Sequence, residues 1–238
     1  HTLTWPQLFT GASMHLSYGV LLGGFCLRYM YMRDQWLKQQ YSELNARIQA
    51  MQARIHPHFL FNSLNNVVSL ISIDPEKAET LLIHLSRLFR ASFQELKLVS
   101  LADEIELCQR YLAIESVRLG SRLHVEWKFD PNQPQFQQVQ IPLLTLQPLL
   151  ENCIFHGVEP RSSRSTITIL VEILQSEVSI VITNPYSLDK IKSRNGHGIA
   201  VENVKQRLIA YYGRTVKFQN YCARELYTTV VSYQYRSK

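Results

Sequence analysis

The spacing of apolar residues changes near residue 120 of this 238-residue chain, and the change limits the folds it can adopt. Before about residue 120, apolar side chains recur every three or four positions, which is the period of an α-helix. After it, they alternate with polar ones, as in half-buried strands. The alternating runs are Leu123–Phe129, Ile167–Ile173, Val178–Ile182 and, more weakly, Leu226–Ser232. With helices predicted at roughly 143–156 and 199–212, we expect an α+β chain that ends in one helical layer packed on one sheet.

Residues Leu8–Leu27 contain no Asp, Glu, Lys or Arg. About 20 such residues suffice to cross a bilayer. Arg28, Arg33 and Lys38 follow, with aromatic residues between them, which is the pattern of a cytoplasmic flank. We therefore expect residues 1–33 to be the last transmembrane helix of a longer protein, with its basic flank. A buried helix of a soluble domain is the alternative, because Ser, Thr and Gly interrupt the stretch.

A heptad-like repeat follows this flank. Its apolar positions, separated by 4, 3, 4, 3 and 4 residues, are Leu37, Tyr41, Leu44, Ile48, Met51 and Ile55. A mean spacing of about 3.5 residues brings two helices together along a left-handed seam. We expect a dimeric coiled-coil stalk here, and a single amphipathic helix packed on a core is the alternative.

Pro57 interrupts the seam, because a proline inside a helix removes a backbone hydrogen bond and kinks the helix. The polar residues beyond it, at helical spacing, are His58, Asn62, Asn65 and Ser69. We expect His58 to face away from the apolar seam, where another domain could reach it, with Asn62 one turn later to orient its imidazole. His56 is the competitor, since residues two apart on a helix point in nearly opposite directions. A merely solvated histidine is the alternative.

Two helix starts follow. Asp74 is a predicted N-cap with Pro75 in the first turn, and the helix that it opens returns as far as Leu96. Ser100–Asp103 has the form of a capping box and opens a further helix that runs to about Leu119. A hairpin with so wide an apolar face predicts a four-helix bundle formed by two copies.

Two later segments place polar groups where they could hold a nucleotide. Asn152 offers a neutral oxygen to a magnesium ion that is already bound to phosphates and water, and His156 lies one turn later on the same face. Gly196 and Gly198 flank the start of the next predicted helix, where backbone amides bind phosphates; a simple turn is the alternative. The basic segment 184–194 is a candidate lid over ATP.

These segments resemble those of the LytS/AlgZ-type sensor histidine kinases, whose ATP domain is of the GHKL (Bergerat) kind. The resemblance runs from about Ala46 to the C-terminus. Arg54–Asn65 is similar to the family's phosphoacceptor block, Leu146–Gly157 to its asparagine box and Gly196–Leu208 to its glycine box. It implies ATP and Mg as cofactors, His58 as phosphoacceptor with Asn62 beside it, Asn152 as magnesium ligand, and nucleotide contacts from His156, Thr183, Asn184, Gly196 and Gly198.

The resemblance also implies an organisation and a function. Residues 1–33 would be the membrane anchor, 34–120 the stalk with the phosphoacceptor and dimerisation helices, and 121–238 the ATP-binding domain. Such a chain would be a homodimeric sensor kinase in the bacterial inner (cytoplasmic) membrane, with its catalytic part in the cytoplasm. It would phosphorylate His58 and pass the phosphoryl group to an aspartate of a response regulator, often of the LytTR type. The formal charge of +6 is spread along the chain, so no direct contact with nucleic acid is expected.

One segment departs from the family pattern. Where the family usually has Asp-Asn-Gly, this chain has Thr183-Asn184-Pro185, and either Thr183 or Asn184 could contact adenine. Loss of the carboxylate removes a charge-assisted hydrogen bond, which favours the alternative of a scaffold or phosphatase-biased sensor with little kinase activity. The base is unassigned, because Phe59 follows His58 where commoner kinases have an acid; Glu151 is a candidate carboxylate. An ATP-driven clamp is a third alternative.

Overall fold

The computed structural model describes residues 5–52, 57–94, 97–130, 133–186 and 197–235, without the side chains of 5–13, 43–52, 57 and 197–200. The chain divides into two compact units, His1–Arg54 and Ile55–Lys238.

The first unit is a single helix, α1 (Trp5–Gln52), of 48 residues. Its large apolar side chains from Met14 to Tyr41 are exposed. Among the residues that the structure describes, none of the helices combines the length and the apolar character that crossing a membrane requires. The transmembrane helix expected in residues 1–33 is therefore not confirmed. The stalk residues up to Gln52 are helical, as expected, while their pairing with a second copy stays a prediction.

The second unit begins with three helices, α2 (Pro57–Ile71), α3 (Pro75–Phe93) and α4 (Leu101–Leu119). Both predicted caps are confirmed, because Asp74 accepts a hydrogen bond from the Lys77 amide and Ser100 accepts one from the Asp103 amide, each at 3.1 Å. The proline is the first residue of α2, so the kink predicted there would involve residues 53–56, which lie outside the described part of the chain.

A five-stranded sheet follows, with the strand order β2-β4-β5-β7-β6. Only the β2–β4 pair is parallel among these strands. The strands are β2 (Leu123–Lys128), β4 (Ser165–Leu174), β5 (Glu177–Pro185), β6 (Lys217–Ala223) and β7 (Leu226–Gln234). Alternate residues of β4 and β5 are buried, which confirms the period of two in the sequence.

The buried face of the sheet packs on α4, α6 (Gln147–Asn152) and α7 (His197–Tyr212). A short helix, α5 (Gln135–Gln138), lies between α4 and α6 in the chain. A second small sheet pairs β1 (Leu98–Ser100) with β3 (Gln140–Pro142). This pairing joins the segments predicted as phosphoacceptor domain and ATP-binding domain; the boundary near residue 120 stays a prediction.

Two elements differ from the sequence expectation. The helix expected at 143–156 begins only at Gln147, because Leu144 adopts a positive φ of 60°, and it continues as a wider π-helical turn over Cys153–Val158. Strand β6 was not expected from the sequence, because it lies at the sheet edge with most of its residues exposed and so lacks alternation.

Candidate nucleotide site and phosphoacceptor helix

A cavity lies between the helical layer and the C-terminal end of β5. Its lining residues come from α6 and the π-helical turn, from the end of β5, from α7 and from β7: Leu149, Asn152, Cys153, His156, Asn184, Tyr186, Val201, Tyr227 and Thr229. The predicted pair Asn152 and His156 is brought together here, with both side chains half-buried. The π-helical turn between them widens the helix, as is common at functional sites.

The structure separates the two residues that were expected to contact adenine. Asn184 is 2% exposed and lines the cavity. Successive strand residues face opposite sides of a sheet, so Thr183 lies on the other face. Its hydroxyl forms a hydrogen bond with the hydroxyl of Thr228, its neighbour on β7, at 3.1 Å. Of the two, the geometry favours Asn184 as the cavity residue.

The orientation of the Asn184 amide follows from its neighbour. Its Nδ2 donates to the backbone carbonyl of Pro185 at 2.7 Å. Because a carbonyl oxygen only accepts, the NH₂ end of the amide must face Pro185. The amide oxygen of Asn184 is not engaged by this contact, and the NH₂ group keeps a second hydrogen.

Gly157 allows this arrangement. A Cβ at this position would lie 2.5 Å from Asn184 Nδ2 and 2.7 Å from the Pro185 oxygen, both closer than van der Waals contact permits. The second of these atoms belongs to the backbone of β5 and cannot turn away. The glycine of the asparagine segment is therefore required by close packing on the end of β5.

We expect Gly157→Ala to push the end of β5 away from the π-helical turn. The unfolding free energy should fall by about 1–3 kcal/mol, as for other overpacked sites, and affinity for a fluorescent ATP analogue should fall about tenfold or more. Gly120→Ala is the control, because Gly120 has a positive φ of 57° but open space around it. That variant should lose stability without losing affinity; equal affinities for the two variants would contradict the packing argument.

Apolar and aromatic groups form the rest of the cavity. The rings of Tyr186 and Tyr227 lie 5.7 Å apart and provide flat surfaces for a base. Burial raises the pKa of Cys153 to about 12 and also raises the pKa of Tyr227, so both groups are neutral at physiological pH. The lining can therefore stack on a nucleotide base and form hydrogen bonds with it, rather than contribute charge.

The loop before α6 is held by a buried carboxylate that the sequence did not reveal. Glu104 of α4 is fully buried, and its two oxygens accept hydrogen bonds from the amides of Leu144 and Leu146 at 2.9 and 2.8 Å. From α7, Arg207 donates to the carbonyls of Leu143 and Leu144 at 3.0 and 2.8 Å. Burial raises the pKa of Glu104, against the opposing effect of these amides and of Arg207. This network fixes the loop that carries the asparagine segment.

On α2, His58 is exposed, as expected. The Asn62 amide nitrogen lies 3.1 Å from His58 Nδ1 and 3.3 Å from Nε2, and its role in orienting the ring stays a prediction. The adjacent Phe59 packs its ring on Tyr111 of α4, with the centroids 5.2 Å apart. This contact fixes the first turn of α2 against α4. The competitor His56 lies outside the described residues.

A charged cluster lies next to this contact. Glu115 of α4 is 3% exposed and forms an ion pair with Arg118, one turn later. Arg118 also forms an ion pair with Glu159, directly after the π-helical turn. The cluster thus links α4 to the segment that carries Asn152.

The candidate carboxylate Glu151 does not line the cavity. It accepts a hydrogen bond from Gln147 at 2.9 Å.

The glycine segment is only partly described. Gly198 lies in the first turn of α7, consistent with the expected helix start. Gly196 and most of the predicted lid (187–194 of 184–194) lie outside the described residues. Among the residues that are described, there is no group of three His, Cys, Asp or Glu side chains that could hold a metal ion. A metal at this cavity would therefore need phosphate and water as its other ligands, which is how Mg²⁺ is usually held beside nucleotides.

Comparison with known proteins agrees with this arrangement. Residues 46–123 match the model of the family described as histidine kinase. Sensor protein LytS of Staphylococcus haemolyticus is 32% identical over 199 residues, which cover 78% of this chain and 33% of that protein. Sensor protein LytS of Oceanobacillus iheyensis is 35% identical over 183 residues, 71% of this chain and 31% of that protein. Sensor histidine kinase BtsS of Escherichia coli is 30% identical over 227 residues, 94% of this chain and 39% of that protein.

This chain thus spans about a third of the length of these relatives. Among solved structures, the catalytic domain of histidine kinase ThkA superposes with a TM-score of 0.44 at 12% identity, over 59% of this chain and 96% of that one. That likeness is too weak to support an inference about function. The enzyme class of the matched family is ATP-dependent protein-histidine kinase. From its sequence, this chain belongs to the histidine kinase family, among the LytS-type sensor proteins.

Proposed function

We propose that this chain is the kinase core of a two-component sensor, which transfers the γ-phosphoryl group of Mg-ATP to His58. The observation that carries the proposal is the cavity in which Asn152, His156 and Asn184 converge, in the same unit as the exposed His58. The phosphoryl group would then pass to an aspartate of a response regulator, with a LytTR-type regulator as the expected partner.

Asn184 supports ATP as the nucleotide. One N–H of its amide is engaged by the Pro185 carbonyl, and we propose that the amide oxygen is the atom that meets the base. Adenine presents a 6-amino donor at the position where guanine presents a carbonyl acceptor. An acceptor at Asn184 would therefore pair with adenine and repel guanine, although without the charge that a carboxylate would add.

Asn152 is the residue that would hold the magnesium ion. Phosphoryl transfer requires neutralisation of phosphate charge, which bound Mg²⁺ supplies, and the precise positioning of the acceptor. Asn152 lines the cavity and has an amide oxygen of the kind that Mg²⁺ binds. His156, one turn later, would donate to a phosphate oxygen. Gly196 and Gly198, with the segment before them, would close over the phosphates.

The bundle face of the second unit supports a homodimer. Large apolar side chains are exposed on α2 and α3: Phe61, Leu64, Val68, Ile71, Leu82, Ile83 and Phe93. Such a face on a helical hairpin is typical of the core of a four-helix bundle made from two copies. We propose that two chains pair here and that the heptad positions of α1 continue the pairing as a stalk.

The exposed apolar side chains of α1 support membrane attachment. Between Leu16 and Leu27 they include Val20, Leu22 and Phe25, each about two-thirds exposed or more. Water is an unfavourable environment for so much apolar surface. We propose that this part of α1 contacts the lipid of the bacterial inner membrane and that the second unit lies on the cytoplasmic side.

The test is autophosphorylation of the purified chain with radiolabelled ATP and magnesium, in the wild type and in Asn152→Ala. Loss of the magnesium ligand should remove several kcal/mol of transition-state stabilisation, so the initial rate should fall about 100-fold or more. Asn220→Ala, on the exposed edge strand β6, is the matched control and should keep the wild-type rate.

Failure of the wild type to take up label would overturn the proposal. If the unlabelled protein were also a folded dimer, the scaffold or phosphatase-biased alternative would be favoured. The presence of Thr183-Asn184-Pro185 in place of the family's Asp-Asn-Gly would then explain the absence of autophosphorylation. Equal labelling of wild type and Asn152→Ala would instead show that Asn152 does not hold the metal.

A further inference from the structure

The chemistry proposed for His58 requires a carboxylate that α2 does not provide. When an imidazole nitrogen attacks phosphorus, the ring becomes positively charged and must lose the proton from its other nitrogen. A carboxylate next to that proton raises the nucleophilicity of the ring and takes the proton. Phe59 follows His58 in the sequence, and Asn62 is neutral. The group must therefore come from another helix.

Helix α4 carries a buried carboxylate, Glu115, one turn away from its contact with the start of α2. The contact between the rings of Phe59 and Tyr111 fixes the first turn of α2 against α4. Glu115 lies one turn after Tyr111 on the same face of α4, because residues four apart are neighbours on a helix. The His58 ring is within electrostatic range of the Glu115 carboxylate: positive charge on His58 lowers the pKa of Glu115, in opposition to burial, which raises it.

The surroundings of Glu115 hold its carboxylate in place. Arg118 donates to it from Nε at 3.0 Å and also from a terminal nitrogen. Arg118 is itself shared with Glu159, which follows the segment carrying the nucleotide residues. The groups that face Glu115 are thus Arg118 and Tyr111 from its own helix, Glu159 from the π-helical turn and His58 from α2. Of these, only His58 is a candidate for phosphorylation.

We propose that Glu115 is the carboxylate that orients the His58 imidazole and accepts its proton during autophosphorylation. One ring nitrogen of His58 would form the N–P bond while the bond from the γ-phosphorus to the bridging oxygen breaks, with its electron pair leaving on ADP. The proton on the other ring nitrogen would pass to Glu115, which becomes a neutral acid. The described side chains of His58 and Glu115 form no hydrogen bond with each other in this structure. Catalytic hydrogen bonds commonly form only when substrate is bound.

Burial prepares Glu115 for this role. A carboxylate with an ordinary pKa is a poor base near neutral pH, and a pKa raised by burial brings it closer to the working range. The base must be ionised to accept a proton, so the rate should rise as pH increases through the pKa of Glu115. The acid side of the pH–rate profile should therefore contain the titration of Glu115.

The inference rests on the proposed kinase function, and the test separates the two. Glu115→Gln should lower the autophosphorylation rate about 100-fold and remove the titration of Glu115 from the acid side of the pH–rate profile. Glu115→Asp, which keeps the carboxylate, should recover part of the rate. Glu159→Gln is the matched control, because it removes the same charge from the same arginine and leaves Glu115 in place. Its rate should stay within about threefold of the wild type, and the titration of Glu115 should persist in its pH profile, displaced to lower pH by the loss of the Glu159 charge.

A spectroscopic readout does not depend on activity. The ring ¹⁵N chemical shifts of His58, assigned by comparison with His58→Gln, should change in Glu115→Gln and stay the same in Glu159→Gln. If both variants lose rate equally, with the acid-side titration retained in both and unchanged ¹⁵N shifts, the cluster is only structural and the inference is wrong. If the wild type takes up no label, the kinase proposal fails, while the ¹⁵N shifts still decide whether Glu115 acts on His58.

Discussion

His58→Gln should take up no acid-labile phosphoryl group from labelled ATP, a loss of at least about 100-fold relative to the wild type. Glutamine keeps a polar side chain of similar length on the exposed face of α2 but has no nucleophilic nitrogen. The structure places His58 in solvent with Asn62 3.1 Å away, so the substitution removes no core contact. Thermal unfolding should therefore be unchanged, which separates loss of the acceptor from loss of the fold.

The label itself identifies the acceptor. A phosphoryl group on imidazole nitrogen is lost in acid and retained in base, in contrast to a phosphoserine or phosphothreonine. His56→Gln is the decisive comparison, because the sequence left it as the competing acceptor. We expect it to be labelled like the wild type, as should His124→Gln on β2. Loss of label in His56→Gln, with retention in His58→Gln, would move the acceptor by two residues.

Glu104→Ala should cause the largest loss of stability among the single substitutions considered. It leaves the buried amides of Leu144 and Leu146 without their acceptor and empties a fully buried site, so the unfolding free energy should fall by about 3–5 kcal/mol. Glu104→Gln should cost less, about 1–3 kcal/mol, because it keeps the volume and one acceptor oxygen. Chemical denaturation followed by circular dichroism measures both.

Glu106→Gln is the control for this series. Glu106 lies on the same helix, but it is exposed and pairs with Arg110 at the surface, where an ion pair contributes about 0–1 kcal/mol. Equal losses in Glu104→Gln and Glu106→Gln would contradict the assigned role of Glu104. If Glu104→Ala left the unfolding free energy unchanged but abolished nucleotide binding, Glu104 would belong to the nucleotide site itself.

The pKa of Glu104 gives the series a pH dependence. Burial raises this pKa above that of the unfolded chain, so between the two values the folded protein binds the proton more tightly. The contribution of Glu104 to stability is therefore greatest below that range and decreases as pH rises through the raised pKa. The difference in unfolding free energy between the wild type and Glu104→Gln should thus shrink with increasing pH across this window.

Local patterns predicted those parts of the structure that depend on neighbours in sequence. The caps at Asp74 and Ser100 followed from residue types at a spacing of three, because the contact is made within one helical turn. The alternation in β4 and β5 likewise showed which residues would be buried, because strand periodicity does not depend on the partner strand. Strand β6 shows the limit, since an exposed edge strand has no apolar period to detect.

Other features depended on contacts between residues far apart in the chain. In the sequence, Glu104 resembles any acidic residue at the start of a helix. It is buried because the loop before α6, about 40 residues later in the chain, brings two backbone amides to it. To choose between Thr183 and Asn184, one must know which face of the sheet packs on the helices. Local similarity to Asp-Asn-Gly does not give that information. Glu115 was likewise indistinguishable from a surface residue until α2 packed on α4.

The sequence by itself determined the main helices and four of the five strands of the large sheet, the helix caps, the family and the identity of His58 and Asn152 as candidates. These depend on residue type and on short spacings, which a single chain displays directly. Only the tertiary structure decided which carboxylates are buried and which side chain of β5 enters the cavity. Those outcomes come from packing between segments distant in the chain, and packing sets the burial and the charge environment that chemistry requires.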